Sequence, residues 1–324
     1  MEMELIKPPC LEPGDTLGLI APSGPVIRNN DIPAGTMPSH LEKGIAYLEK
    51  MGYHPVLGKH VLNRRGYLAG TDMERLEDLH AMLANPKIKG IFCVAGGYGT
   101  PRLLPHIDYE LLRKNPKIFE GYSDITALNN TFFSLTGLVT FEGPMANYDF
   151  GRHIDFNRDN LWKVMTQREP VGEVPVPEDY PSMETLYPGK ASGRLIGGNL
   201  SLLAATLGTP YEIDTRDKIL FLEDIDEYPY RLDRMLNHLL LAGKLQQASG
   251  IIIGECVDCI PDPPENPSLS LMEIFDDLIV PLQKPTFYGL PCGHGTYKLT
   301  LPIGIQSSMD ADRCKLYLEE SAVS

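Results

Sequence analysis

Three features of the chain predict an α/β fold with a largely parallel sheet. Short apolar runs recur along its 324 residues, each closed by glycine, proline or an acid. Amphipathic stretches of helical period alternate with those runs, as in strand–helix–strand units. A proline-rich stretch near the middle then separates two such alternations, so the chain divides into two domains, residues 1–165 and 191–324.

Leu17-Gly18-Leu19-Ile20-Ala21 is an unbroken apolar run that ends in Pro22-Ser23-Gly24, a buried strand opening into a loop. In the next segment Leu41, Ile45, Leu48 and Met51 fall on one face with charges between them, and Gly52 ends that helix. Thr71, with Glu74 three residues on, is a capping box that starts a second helix. The strand Gly90–Ala95 leads into the turn Gly96-Gly97-Tyr98-Gly99. Lys117–Tyr122 is a further short strand and Asp124–Phe133 a helix. Arg168–Pro181 holds four prolines, too many for a helix interior, and residues 166–190 read as an extended linker. Beyond it, Gly197-Gly198-Asn199 reads as a turn entering an apolar helix. A strand at Lys218–Glu223, a helix from Tyr230 and a strand at Gly250–Gly254 follow.

A net charge of −14 argues against a nucleic-acid groove or an anionic membrane surface, both of which require clustered cations. The segment Met1–Pro9 lacks the apolar core of a signal peptide, and no run approaches the ~20 apolar residues of a membrane span. Cys256 and Cys259 form a C-x-x-C with no second pair or nearby histidine to complete a zinc site. The expectation is a cytoplasmic protein with reduced thiols and no metal.

Ser123 lies in Gly121-Tyr122-Ser123-Asp124, between a strand and a helix. A serine on such a turn projects its hydroxyl, and the next N–H, that of Asp124, faces a developing oxyanion; the same pattern also serves as an ordinary helix cap. A serine nucleophile needs a base. His294 is the histidine flanked by glycines on both sides, whereas His80 and His238 sit within helical patterns. Glu223 ends an apolar strand, where a carboxylate can orient the imidazole, with Asp224, Asp226 and Glu227 as competitors. Gly96-Gly97-Tyr98-Gly99 has neither dinucleotide nor P-loop spacing, and its N–H groups suit an oxyanion better.

In order along the chain, Pro13–Ser23, Tyr67–Arg75, Gly96–Gly99, Gly121–Leu128, Thr140–Met145, Gly197–Leu200, Phe221–Asp224, Pro229–Leu236 and Gly293-His294 resemble the murein LD-carboxypeptidase family of serine peptidases, which includes the microcin-immunity hydrolases. The resemblance implies a Rossmann-like N-terminal domain carrying the nucleophile, and a smaller mixed α/β C-terminal domain carrying glutamate and histidine. It implies a triad of Ser123, Glu223 and His294, and an oxyanion hole from the N–H groups of Asp124 and of Gly96 or Gly97. It further implies a homodimer that needs no cofactor and takes a small murein peptide, releasing D-alanine from a tetrapeptide.

Many members carry arginine immediately before the glycine pair, where this chain has Ala95, and Asn29–Pro38 is longer than usual. A substrate bearing carboxylates needs a cation, and Arg102, just past the glycine turn, is the candidate. The alternatives are an immunity-type hydrolase of peptidyl or aminoacyl nucleotides using the same triad, and a non-catalytic peptide-binding homologue. About 100 residues separate Ser123 from Glu223, a spacing nearer the carboxypeptidase branch.

Overall fold

The computed structural model describes residues 4–28, 32–152, 154–261 and 263–324; Asn29, Asn30 and Asp31 of the long early loop lie outside that set. Two sheets organise the molecule. The first contains β1 (Thr16–Ile20), β2 (His54–Leu57), β3 (Ile88–Cys93), β4 (Ile118–Glu120) and β5 (Thr140–Glu142), all parallel. The second contains β6 (Gly172–Glu173), β7 (Glu184–Tyr187), β8 (Lys190–Asn199), β9 (Lys218–Ile225), β10 (Gly250–Val257) and β11 (Thr286–Tyr288). After β11 the chain returns to the first sheet, where β12 (Leu301–Ile303) pairs antiparallel with β5. β13 (Gln306–Asp310) and β14 (Lys315–Leu318) then complete the second.

The spatial orders are β12-β5-β4-β3-β1-β2 and β6-β14-β13-β8-β9-β10-β11-β7. β8 to β11 are parallel, so their apolar runs are buried on both faces: Leu195, Ile219, Leu220, Phe221, Ile251 and Ile252 are all fully buried. The helices are α1 (Ser39–Lys50), α2 (Asp72–Ala84), α3 (Tyr109–Lys114), α4 (Thr126–Thr136), α5 (Asp155–Thr166), α6 (Leu200–Thr206), α7 (Pro229–Leu241), α8 (Lys244–Gln247) and α9 (Leu271–Leu278). The Thr71 capping box forms as its sequence requires: Thr71 Oγ1 accepts from Glu74 N, and the Thr71 N–H donates to the Glu74 carboxylate.

Two expectations change. Residues 166–190 are extended, but they build β6 and β7, which cap opposite edges of the second sheet. Proline suits such edges because it removes donors where no partner strand follows. Gly197 and Gly198 lie inside β8 rather than in a turn. Gly197 has φ +136° and packs so closely on β9 that a Cβ there would stand 1.9 Å from Phe221 O. Close approach of two backbones, not chain reversal, is the reason for that glycine.

Most of α4 is buried, and the helix lies between the two sheets. Asn130 clamps it to β8 as a peptide would: Nδ2 donates to Gly197 O at 2.8 Å and Oδ1 accepts Gly197 N–H at 3.3 Å. Fully buried Arg75 donates to Pro22 O (2.6 Å), Gly99 O (3.0 Å) and Asp72 Oδ1 (2.5 Å). It thereby ties the loops after β1 and β3 to the start of α2.

Hydrogen bonds from Arg102 and Arg75 hold the Asp72 carboxyl down at about 2. A depressed carboxylate contributes stability above its unfolded pKa, and that stability is lost as pH falls through the folded value. Asp72→Asn strips buried Arg75 of its anion and should therefore cost roughly 2–3 kcal/mol at neutral pH. In urea titrations the gap between wild type and variant should persist down to about pH 4 and shrink toward about pH 2. A pH-independent gap would show that charge is not the cause.

Candidate active site

The chain leaves β4 through Gly121 and Tyr122 and reaches Ser123 in the left-handed region at φ +66°. A non-glycine residue held there stores strain on the order of 1–2 kcal/mol and lifts its side chain out of the turn. A 3-10 turn over Ser123–Ile125 follows and runs directly into α4.

Ser123 Oγ lies 3.0 Å from His294 Nε2, and His294 Nδ1 lies 2.7 Å from Glu223 Oε2. An ionised carboxylate only accepts, so Nδ1 carries the proton and Nε2 is left to accept from the serine hydroxyl. The three side chains form one continuous relay. Glu223 ends the core of β9 with its side chain 1% exposed, and His294 sits on the loop after β11 at 12%. A β-carbon at Gly293, whose φ is +106°, would stand 2.5 Å from Glu223 Oε2, so glycine is required where the loop passes over the carboxylate. The Tyr122 ring packs on the imidazole with centroids 4.9 Å apart.

The other acids of that strand end are otherwise engaged. Asp224 accepts from Asn199 Nδ2 (3.0 Å), Ser201 N (3.0 Å) and Ser201 Oγ (2.8 Å), and Glu227 pairs with Arg231 at 3.5 Å. Burial, reinforced by the charge of Glu223, pushes Asp224 up to about 6. Burial likewise raises Glu142 and Glu255, which favours their neutral, protonated forms.

Asp124 turns its carboxylate away from the relay. It accepts from Ser23 Oγ at 2.6 Å and Thr100 N at 2.9 Å, which locks the loops after β1 and β3 against the serine turn. Gly96 abuts the serine, and a Cβ there would lie 3.1 Å from Ser123 Oγ. Gly96 O accepts from Gly24 N and from Arg28 Nη2, each at 3.2 Å. Arg102 is not a free cation at the glycine turn: its guanidinium grips Asp72 with Nε at 2.9 Å and Nη2 at 2.7 Å. Among the described residues no cluster of three histidine, cysteine, aspartate or glutamate side chains is arranged to hold a metal ion, and the six cysteines are unpaired.

Sequence reasoning missed the groups that hold the histidine loop. Asn157 on α5 donates to Thr296 O at 3.0 Å and accepts Lys298 N–H at 2.8 Å, while Asn160 accepts Thr300 N–H at 2.5 Å. Lys298, 3% exposed, reaches Asp149 at 3.4 Å and donates to Gly295 O. Two asparagines three apart on one helix face were the available signal, and taken alone they read as ordinary surface polarity.

A strained serine, an imidazole and a buried carboxylate in one hydrogen-bonded line at a domain junction is the geometry of a hydrolase that attacks through a hydroxyl. The chain belongs to the LD-carboxypeptidase family: residues 17–143 match its N-terminal domain and residues 192–309 its C-terminal domain. A probable murein peptide carboxypeptidase of Bacillus subtilis is 44% identical over 94% of this chain and 91% of its own length. Muramoyltetrapeptide carboxypeptidase from Oxalobacter formigenes superposes with a TM-score of 0.77 at 31% identity, covering 93% of this chain and 97% of that one. The microcin C7 self-immunity protein MccF, in complex with aspartyl sulfamoyl adenosine, superposes at 0.87 with 28% identity, covering 98% and 100%.

Gly96→Ala should slow labelling of Ser123 by a fluorophosphonate about tenfold or more, because the added methyl crowds Oγ at a backbone angle alanine otherwise tolerates. The melting temperature should shift by only a few degrees. Unchanged labelling would mean that the serine does not work against the glycine turn.

Proposed function

We propose that this protein is a serine carboxypeptidase that hydrolyses the amide between an L-centre and a terminal D-residue, releasing D-alanine from murein tetrapeptides. The observation that carries this reading is the unbroken relay, Ser123 to His294 at 3.0 Å and His294 to Glu223 at 2.7 Å, in a chain of this family. His294 takes the serine proton as Oγ attacks the carbonyl carbon, then returns a proton to the departing amine of D-alanine. Glu223 keeps the ring in its productive tautomer and stabilises the imidazolium. The N–H of Asp124 and one from Gly96 or Gly97 receive the oxyanion. Water then repeats the attack on the acyl-serine with His294 as base.

The six unpaired thiols support a reducing cytoplasm as the compartment. The family resemblance supports a homodimer, which sedimentation velocity tests directly. The higher structural similarity to the immunity protein favours one other reading, cleavage of an aminoacyl nucleotide by the same three residues.

The test is D-alanine release from L-Ala-γ-D-Glu-L-Lys-D-Ala and its diaminopimelate analogue, with aminoacyl sulfamoyl adenosine assayed beside them. Ser123→Ala should lose at least ~10⁴-fold in kcat, and Glu223→Gln about 10³–10⁴-fold with the fold intact. Turnover of the nucleotide conjugate alone would establish the second reading and remove the first.

A further inference from the structure

The proposed substrate ends in a carboxylate, and carboxyl groups rather than cations crowd the relay. Asp124, Glu142, Glu223 and Asp224 are buried there, and Asp149 and Glu255 lie close by. An anionic terminus needs a cation within reach of the attacked carbon. In a terminal residue the carboxylate carbon lies on the order of 4 Å from the scissile carbonyl carbon, so that cation must sit beside the oxyanion turn.

Three cations near the turn are already committed. Arg102 is held bidentately by Asp72, Arg75 is buried on Asp72 and two carbonyls, and Lys298 is turned inward to Asp149 and Gly295 O. Arg28 differs from all three. It is exposed, and Nη2 makes a 3.2 Å hydrogen bond to the carbonyl of Gly96, the residue that abuts Ser123. The same nitrogen would stand 3.4 Å from a Cβ placed on Gly97. Among the described residues no carboxylate pairs with Arg28. A guanidinium has five N–H donors in a planar fork, so one bond to a carbonyl leaves the rest available for a carboxylate.

The geometry points to Arg28 as the residue that binds the terminal carboxylate of the substrate and so selects a free C-terminus. This rests on the carboxypeptidase reading. It also answers the alanine at position 95, since the cation reaches the glycine turn from the loop after β1 instead of from the strand before it.

The experiment compares release of D-alanine from L-Ala-γ-D-Glu-L-Lys-D-Ala with release of D-alaninamide from the same peptide amidated at its C-terminus. Arg152 is a second exposed arginine, whose charge acts on Tyr122 beside the imidazole; wild type, Arg28→Ala, Arg28→Lys and Arg152→Ala are therefore assayed, each also for fluorophosphonate labelling of Ser123. Arg28→Ala should lose about 10- to 100-fold in kcat/KM on the acid, the usual size of one charge-assisted contact, mostly through KM. Its activity on the amide and its labelling rate should stay within about twofold of wild type, with Arg28→Lys intermediate on the acid. Equal losses on acid and amide, or slowed labelling, would show that Arg28 merely props the Gly96 turn and overturn the assignment. So would an unchanged rate on the acid, or a selective loss in Arg152→Ala. If wild type releases no D-alanine, both the assignment and the carboxypeptidase reading fall; if only the Arg28 variants behave as wild type, the assignment alone does.

Discussion

The 3.0 Å contact between Ser123 and His294 joins two halves of the chain, and the rest of the structure serves to hold it. The serine belongs to the first sheet and α4, the glutamate and histidine to the second sheet. A displacement of about 1 Å between them would cost on the order of 10²-fold in rate. Apolar packing alone is poor at fixing such a register, because it is non-directional. Directional bonds do it here. Asn130 pairs with the Gly197 peptide, Asn199 N donates to Thr126 Oγ1 at 3.0 Å, and Thr126 in turn donates to Glu142. Asn199 also reaches Asp224, beside Glu223, so one chain of polar groups runs from the helix that follows Ser123 to the strand that carries Glu223.

The histidine loop is secured in the same way. Its backbone is read by Asn157 and Asn160 of α5, and its continuation enters the first sheet as β12. The loop is thus bonded to the half of the molecule that carries the serine, although it arises from the other half. Buried in low dielectric, these polar groups are costly unless paired, which makes the aligned arrangement strongly preferred over a slipped one. Exposed Arg28, bonded to Gly96 O, places a cation at the glycine turn beside Ser123.

Much of this was visible in one dimension. Apolar runs marked β1, β3, β9 and β10, because parallel strands covered on both faces need unbroken hydrophobic residues. Ser123, Glu223 and His294 stood out through local chemistry: a strand-to-helix turn, an acid ending an apolar strand and a histidine between glycines. Arg102 was selected by the same proximity logic and lies elsewhere, because its partner Asp72 is 30 positions away and proximity to a motif says nothing about where a long side chain is anchored. Gly197 reads as a turn in the sequence because a glycine tolerated in a turn and one demanded by a neighbouring backbone are the same letter.

The sequence by itself determined the strand and helix alternation, the capping box at Thr71 and the residue types from which a relay can be built. Each of those depends on contacts within a few positions, where hydrophobic period and side-chain chemistry act directly. Tertiary structure alone decided which acid meets the imidazole, that Gly293 must have no side chain, that the proline-rich stretch forms the edges of a sheet, and that Arg28 rather than Arg102 stands at the glycine turn. Those outcomes depend on distances between residues tens to hundreds of positions apart, which packing and paired buried polar groups set only once both sheets are in place.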